Sequence, residues 1–214
     1  TKVGHELRIP VTQVNSETIR AISPGTNLIN QTSSALDSQG RLHVAYYADD
    51  PDGIPQYQHL WWDGREWRND IVSARTENFE LAGVGTLNIP ISRPEIIVDR
   101  EDRVYFIYRA DFTGQRMVIQ RLDPPDYLPE SAPRVLWNEP VGYAEPIIDR
   151  LRWRDQQILS MLIQFNDQPL GDYSDDLDPN PLPVRIVDWD VVGAWDGAPR
   201  SAVQLPQLWP AAAN

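Results

Sequence analysis

The sequence predicts an all-β fold, a β-propeller of which this chain supplies about three blades. The first observation is a repeated phrase. Thr32-Ser33-Ser34-Ala35-Leu36-Asp37 runs through Gln39-Gly40-Arg41 into Leu42-His43-Val44-Ala45-Tyr46-Tyr47. Arg93-Pro94-Glu95-Ile96-Ile97-Val98-Asp99 runs through Glu101-Asp102-Arg103 into Val104-Tyr105-Phe106-Ile107-Tyr108-Arg109. A looser copy begins Glu145-Pro146-Ile147-Ile148-Asp149 and resumes at Ile158. The second observation is punctuation: 19 Pro and 12 Gly stand between short apolar runs, as turns do in β proteins. The third is that no long helical period appears.

Each element follows from that frame. Leu7–Val14 and Thr18–Ile22 read as outer strands of a preceding blade. The first full blade uses Ser34–Leu36, Leu42–Tyr47, Tyr57–Trp62 and Glu66–Val72, with Asp63-Gly64 as a strong hairpin signal. The second uses Glu95–Val98, Val104–Arg109, Met117–Leu122 and Val135–Trp137. The third uses Pro146–Asp149, Ile158–Gln164 and Val184–Trp189, with Ala202–Leu205 as a last strand. One partial propeller domain over 1–214 results, with blades near 27–76, 92–138 and 144–206. Three blades do not close a ring, since propellers typically have four to eight. The remaining blades are therefore expected from the same longer chain or from other copies. The rival reading is a small open β-sandwich.

The formal net charge of −12 opposes nucleic acid, whose phosphates require a basic field. A local arginine cluster can override it, because exposed charges are screened beyond about 10 Å. No apolar run is long enough to span a membrane. The chain has no cysteine, which excludes disulfides and thiolate metal sites in this stretch and fits an exported bacterial protein. Thr1-Lys2-Val3-Gly4-His5 is not a signal peptide. The acidic runs Asp49–Gly53 and Asp172–Asp178 could hold structural calcium, but neither has the spacing of a calcium loop. No cofactor is required, and no metal site is expected.

In an up-and-down meander, first-strand starts and second-strand ends gather at one rim. That rim receives Asn30, Gln31, Tyr46, Tyr47, Tyr57, His59, Arg75, Arg93, Arg109, Glu145 and Gln164. Pockets with a few converging polar groups are the default site. His59 lies two residues after Tyr57, so both point to one side of a strand. Histidine and tyrosine placed together can exchange protons, although His59 could equally pack between blades. Arg75, Arg93 and Arg109 offer planar forks for a carboxylate, or pair with local acids such as Glu77, Asp111 or Glu145. Tyr46, Tyr47 and Trp61-Trp62 could stack on sugars, though the tryptophans suit an interblade core better. His43 sits deep in a strand, and His5 is near a terminus.

Asn27–Asp37, Pro55–Trp61 with Asp63-Gly64, and Pro90-Ile91-Ser92-Arg93-Pro94 together resemble the BNR-repeat family of bacterial seven-bladed propellers that act on polysaccharides. Ulvan lyases and rhamnose–glucuronate-cleaving enzymes belong to it. The resemblance covers most of Asn27–Gln164 and implies the C-terminal half of such a propeller. It implies an arginine that neutralises a uronate carboxylate, with His and Tyr handling protons. His59 and Arg75 match the pair formed by a proton-handling residue and the arginine of the next strand. His59 departs from lyases that have tyrosine there. The family's further active-site histidines come from upstream blades, and no Cys is present for the zinc site of some relatives.

The expected function is β-elimination on an acidic, ulvan-type polysaccharide by a secreted or periplasmic protein. His59, Arg75 and Tyr57 are the expected catalytic residues. Tyr46, Arg93, Arg109, Asn30, Gln31 and Glu145 are expected to bind substrate. A glycoside hydrolase using Glu145, or a carbohydrate-binding propeller without turnover, are the alternatives.

Overall fold

A computed structural model of the chain describes residues 9–28, 33–81, 87–129, 131–167 and 182–195. The expected strand Ala202–Leu205 and the residues Asn30 and Gln31 lie outside them.

The fold is all-β, carried by three antiparallel sheets. The first is the meander β1 (Ser33–Leu36), β2 (Leu42–Asp49), β3 (Pro55–Trp62) and β4 (Trp67–Ile71), in that order. The second repeats it with β5 (Glu95–Val98), β6 (Val104–Arg109), β7 (Met117–Leu122) and the short β8 (Arg134–Val135). The third contains β9 (Ile147–Ile148), β10 (Leu159–Ile163) and β11 (Arg185–Trp189). Register follows side-chain alternation: Ala45 faces His59 and Tyr47 faces Tyr57 across β2 and β3.

Two seams form between the sheets. Ala45, Tyr47, Tyr57 and Trp61 of the first sheet pack against Ile96, Phe106 and Tyr108 of the second. Ile97, Tyr105, Ile107 and Ile119 pack against Trp153, Leu159, Met161 and Ile163 of the third. β1 and β5 stand side by side. Arg150, just after β9, donates to the carbonyls of Ser34 and Ile96 and to the Ser33 hydroxyl, and pairs with Glu95. The first strands of all three sheets therefore converge.

Between first and second strands runs one repeated turn. Asp37 Oδ1 accepts from the amides of Gln39 and Arg41, and its Oδ2 from Arg41 Nε at 2.5 Å. Asp99 does the same for Glu101, Arg103 and Arg103 Nε. A buried carboxylate thereby satisfies turn amides that no strand can pair. In the third sheet the equivalent connection becomes a helix, α1 (Arg150–Gln156), capped by Asp149 accepting from the Arg152 amide. A second short helix, α2 (Val191–Trp195), starts after Asp190, whose Oδ1 accepts from the Gly193 amide. Neither helix is evident from hydrophobic period, being too short to show one.

The strands expected before residue 23 do not form among residues 9–22. That stretch is turns and bends, with a Thr12–Asn15 turn closed by Asn15 Oδ1 on the Thr12 amide at 2.6 Å. Its polar residues prefer these local bonds to a ladder. Gly142 has a positive φ, and its Cα lies against the Asn166 carbonyl, where a Cβ has no room.

Candidate functional site

The meander brings together most of the residues expected at one rim. Tyr57 of β3 donates between the carbonyls of Ser92 (2.8 Å) and Arg109 (3.0 Å). The Arg109 amide donates back to the Ser92 hydroxyl. This stitches the first sheet to the start of the second. Tyr57 is wholly buried, and burial holds its phenol well above the ordinary range.

The arginines divide into clamps and one accessible group. Arg75 is 4% exposed; its Nε and Nη2 bind Asp111 at 3.2 and 2.6 Å, and its Nη1 donates to the Pro55 carbonyl at 2.8 Å. Arg109 is 1% exposed and donates to the carbonyls of Ile89, Pro90 and Ala144 and to Gln115 Oε1. Burial without a carboxylate partner lowers its pKa, which nearby phenols and Glu145 oppose. Both guanidinium groups spend their donors across the seams. Arg93 keeps 37% of its side-chain surface and pairs with Glu145, which keeps 34%, at 3.4 Å. Glu145 Oε2 also accepts from the Arg93 amide at 2.6 Å. Burial raises the Glu145 pKa above the usual carboxylate range, against the lowering pull of Arg93 and Arg109.

Two polar atoms at this rim are buried without partners: Arg93 Nε and the Tyr47 hydroxyl. Burial raises the Tyr47 pKa; the charges acting on the phenol are those of Glu145, Arg93, Arg109 and Arg75, so it sits among them. Buried polar groups are normally satisfied, and exceptions call for an explanation. Sequence reasoning placed Tyr47 at the rim only as a stacking ring. Its role as a second-strand end, the position that Arg109 fills one sheet on, was the available signal.

His59 is placed differently. It is 0% exposed, and its Nε2 meets His43 Nδ1 at 2.9 Å. Its ring contacts Trp61, Phe106 and Tyr127, while His43 Nε2 lies 3.7 Å from Asp37 Oδ2. The pair therefore leads toward the Asp37 turn, away from the end where Arg75 binds Pro55. Burial pushes the His59 imidazole well below its ordinary pKa, and His43 adds to this. His43 is also lowered by burial, with Asp37 opposing. Tyr46 points to the other face of the first sheet, where its hydroxyl bonds Asn69 Oδ1 at 2.5 Å beside Gln58.

The rim thus gathers Tyr47, Tyr57, Arg75, Arg93, Arg109 and Glu145, and leaves out His59 and Tyr46. Asp50 of the first acidic run turns inward on its own loop, accepting from the amides of Asp52 and Ile54. Asp172–Asp178 lies outside the described residues. Residues 1–75 match the family model described as "BNR repeat-containing family member". That match supports a BNR-repeat family for the first sheet. It includes Tyr46, Tyr57, His59 and Arg75, and stops before Arg93, Arg109 and Glu145. No curated protein matches the chain.

Proposed function

We propose that this protein is a carbohydrate-active β-propeller of the BNR-repeat type that takes an acidic, uronate-bearing polysaccharide at the Arg93–Glu145 mouth. One observation carries the reading: among the described candidate residues, this pair keeps side-chain surface in reach of a ligand, beside the unpartnered Arg93 Nε and Tyr47 hydroxyl. Arg93 supplies the fork for a uronate carboxylate. Glu145, held toward its protonated form by burial, supplies a proton to the departing glycosidic oxygen. Binding a carboxylate at Arg93 draws that guanidinium from Glu145 and favours Glu145 protonation further. Tyr47, Arg75 and Arg109 are buried behind the pair and hold the frame.

The ulvan-type lyase reaction is the first reading. Arg93 stabilises enolate-like charge as the carbon-bound proton leaves. The carbon-bound proton passes to the Glu145 carboxylate, which returns it to the departing oxygen, so one group serves as base and then as acid; His59, buried in the first seam, takes no part. The raised carboxyl of Glu145 favours a second reading, glycoside hydrolysis with Glu145 as general acid. Either places the protein outside the cytoplasm, where such polymers occur. The test incubates the complete protein with ulvan and follows both unsaturated-uronate absorbance and new reducing ends. Both signals indicate elimination, and reducing ends alone indicate hydrolysis. Binding without either indicates a non-catalytic module, and no binding to any uronate polymer rejects the proposal.

A further inference from the structure

Arginines gather at one place in this acidic chain. Where the first strands converge, a groove of about 430 Å³ opens at the turn end, lined by Leu36, Ile97, Trp153 and three arginines, Arg100, Arg150 and Arg154. The two carboxylates that also line it, Asp37 and Asp99, are each tied to an arginine outside the groove, Arg41 and Arg103. The lining carries three arginines against two carboxylates in a chain of formal charge −12, with Glu95 and Asp155 just outside it paired to Arg150 and Arg154.

Its arginines are unequally engaged. Arg150 is consumed by Ser33, Ser34, Glu95 and Ile96. Arg100 is exposed and spends Nη2 on the Asp155 carbonyl at 3.2 Å, and its other guanidinium donors have no acceptor among the described residues. Arg154 pairs with the exposed Asp155, a contact that exchanges readily with solvent and competing anions. Arg93 and Arg100 bracket β5, so the mouth and the groove are separated by about 20 Å of extended chain at ~3.3 Å per residue. A sugar polymer several residues long spans that distance.

We propose that this groove is a second anion subsite, taking a carboxylate- or sulfate-bearing segment of the same acidic polysaccharide that Arg93 engages. The inference rests on the reading above for the identity of the polymer. The exposed Leu36 suits a sugar C–H face, while Arg100 and Arg154 supply the charge. Charge on both substrate segments makes affinity grow with chain length.

The experiment titrates the whole protein with purified oligouronates of two lengths, one too short to span β5 and one long enough, by calorimetry at low salt. The long oligomer is expected to bind more tightly. R100A/R154A is expected to weaken the long oligomer about tenfold and leave the short one unchanged; R100K/R154K restores most of the loss. Arg93→Ala weakens both. The subsite is overturned if R100A/R154A leaves the long oligomer unchanged or weakens both lengths equally. A single-stranded nucleic acid that competes equally overturns the glycan assignment. If R100A/R154A acts while Arg93→Ala is silent, the groove stands and the mouth is wrong. If neither length binds, both fall. Thermal unfolding confirms that all three variants fold.

Discussion

The two seams are built on the same turn and filled differently. In the first, Asp37 and Arg41 brace His43, which hands on to His59 inside the core. In the second, Asp99 and Arg103 brace Tyr105, whose hydroxyl donates to Asp99 Oδ2 at 2.9 Å. The Tyr105 bond closes its network. The His43–Asp37 distance of 3.7 Å is too long for a hydrogen bond, and both His43 Nε2 and His59 Nδ1 lack partners. Identical turns thus support a satisfied seam and an under-satisfied one, and the second-strand residue makes the difference.

The largest expected effect comes from removing the turn carboxylate of either seam. Asp99→Ala removes a fully buried carboxylate side chain that serves two amides, Arg103 and Tyr105. Its loss should cost about 3–5 kcal/mol. Asp37→Ala should cost somewhat less, because His43 makes no full hydrogen bond to it. Urea midpoints of the two variants check the order. Equal losses would show that the residue after the turn is irrelevant.

Next comes pH. Both imidazoles are held below the ordinary value of 6.5, so the folded seam keeps them neutral while unfolded chains take up protons. Stability should fall as pH drops through about 6.5 and toward the lower folded values, then fall no further from this source. Groups facing the pair are Asp37, Arg41, Asp102 and Tyr127, the last with its phenol pushed up to about 12 by burial. Replacing the pair, as in H43F/H59F, should flatten the melting temperature between pH 7 and 5 relative to the native chain. An unchanged slope would place the titration elsewhere.

The smallest expected effect lies where the first strands meet. Ser33 accepts from the Ile96 amide at 3.0 Å and donates to Glu95 Oε2 at 2.7 Å. Ser33→Ala should cost about 1 kcal/mol, measured by chemical unfolding.

The comparison also shows what was legible in the sequence. β2, β3, β6 and β7 follow from alternating apolar runs and from Asp63-Gly64, whose glycine takes a positive φ. An antiparallel meander fixes which strand ends meet, as Tyr57 and Arg109 show, but it does not carry His59, which pairs with Ala45 in mid-strand, to that rim. Tyr57 and His59 do share a side, but alternation cannot say whether that side is open. Here it faces the second sheet, and both are buried. The paired Asp-x₃-Arg spacing at 37/41 and 99/103 was visible within the repeated phrase, yet its role as a turn brace needs three-dimensional bonds to be seen. Arginine exposure was not legible either, because Arg75 and Arg109 differ from Arg93 only in which carbonyls and carboxylates lie across a seam.

In the proposed function chemistry belongs to the accessible Arg93–Glu145 pair, and the buried groups hold the frame. The most direct measurement is cleavage of a uronate polymer by the complete protein carrying Glu145→Gln, alongside a chemical-unfolding check. Turnover is expected to fall at least a hundredfold, with stability changed by less than about 1 kcal/mol. Full turnover in the folded Glu145→Gln protein would contradict it.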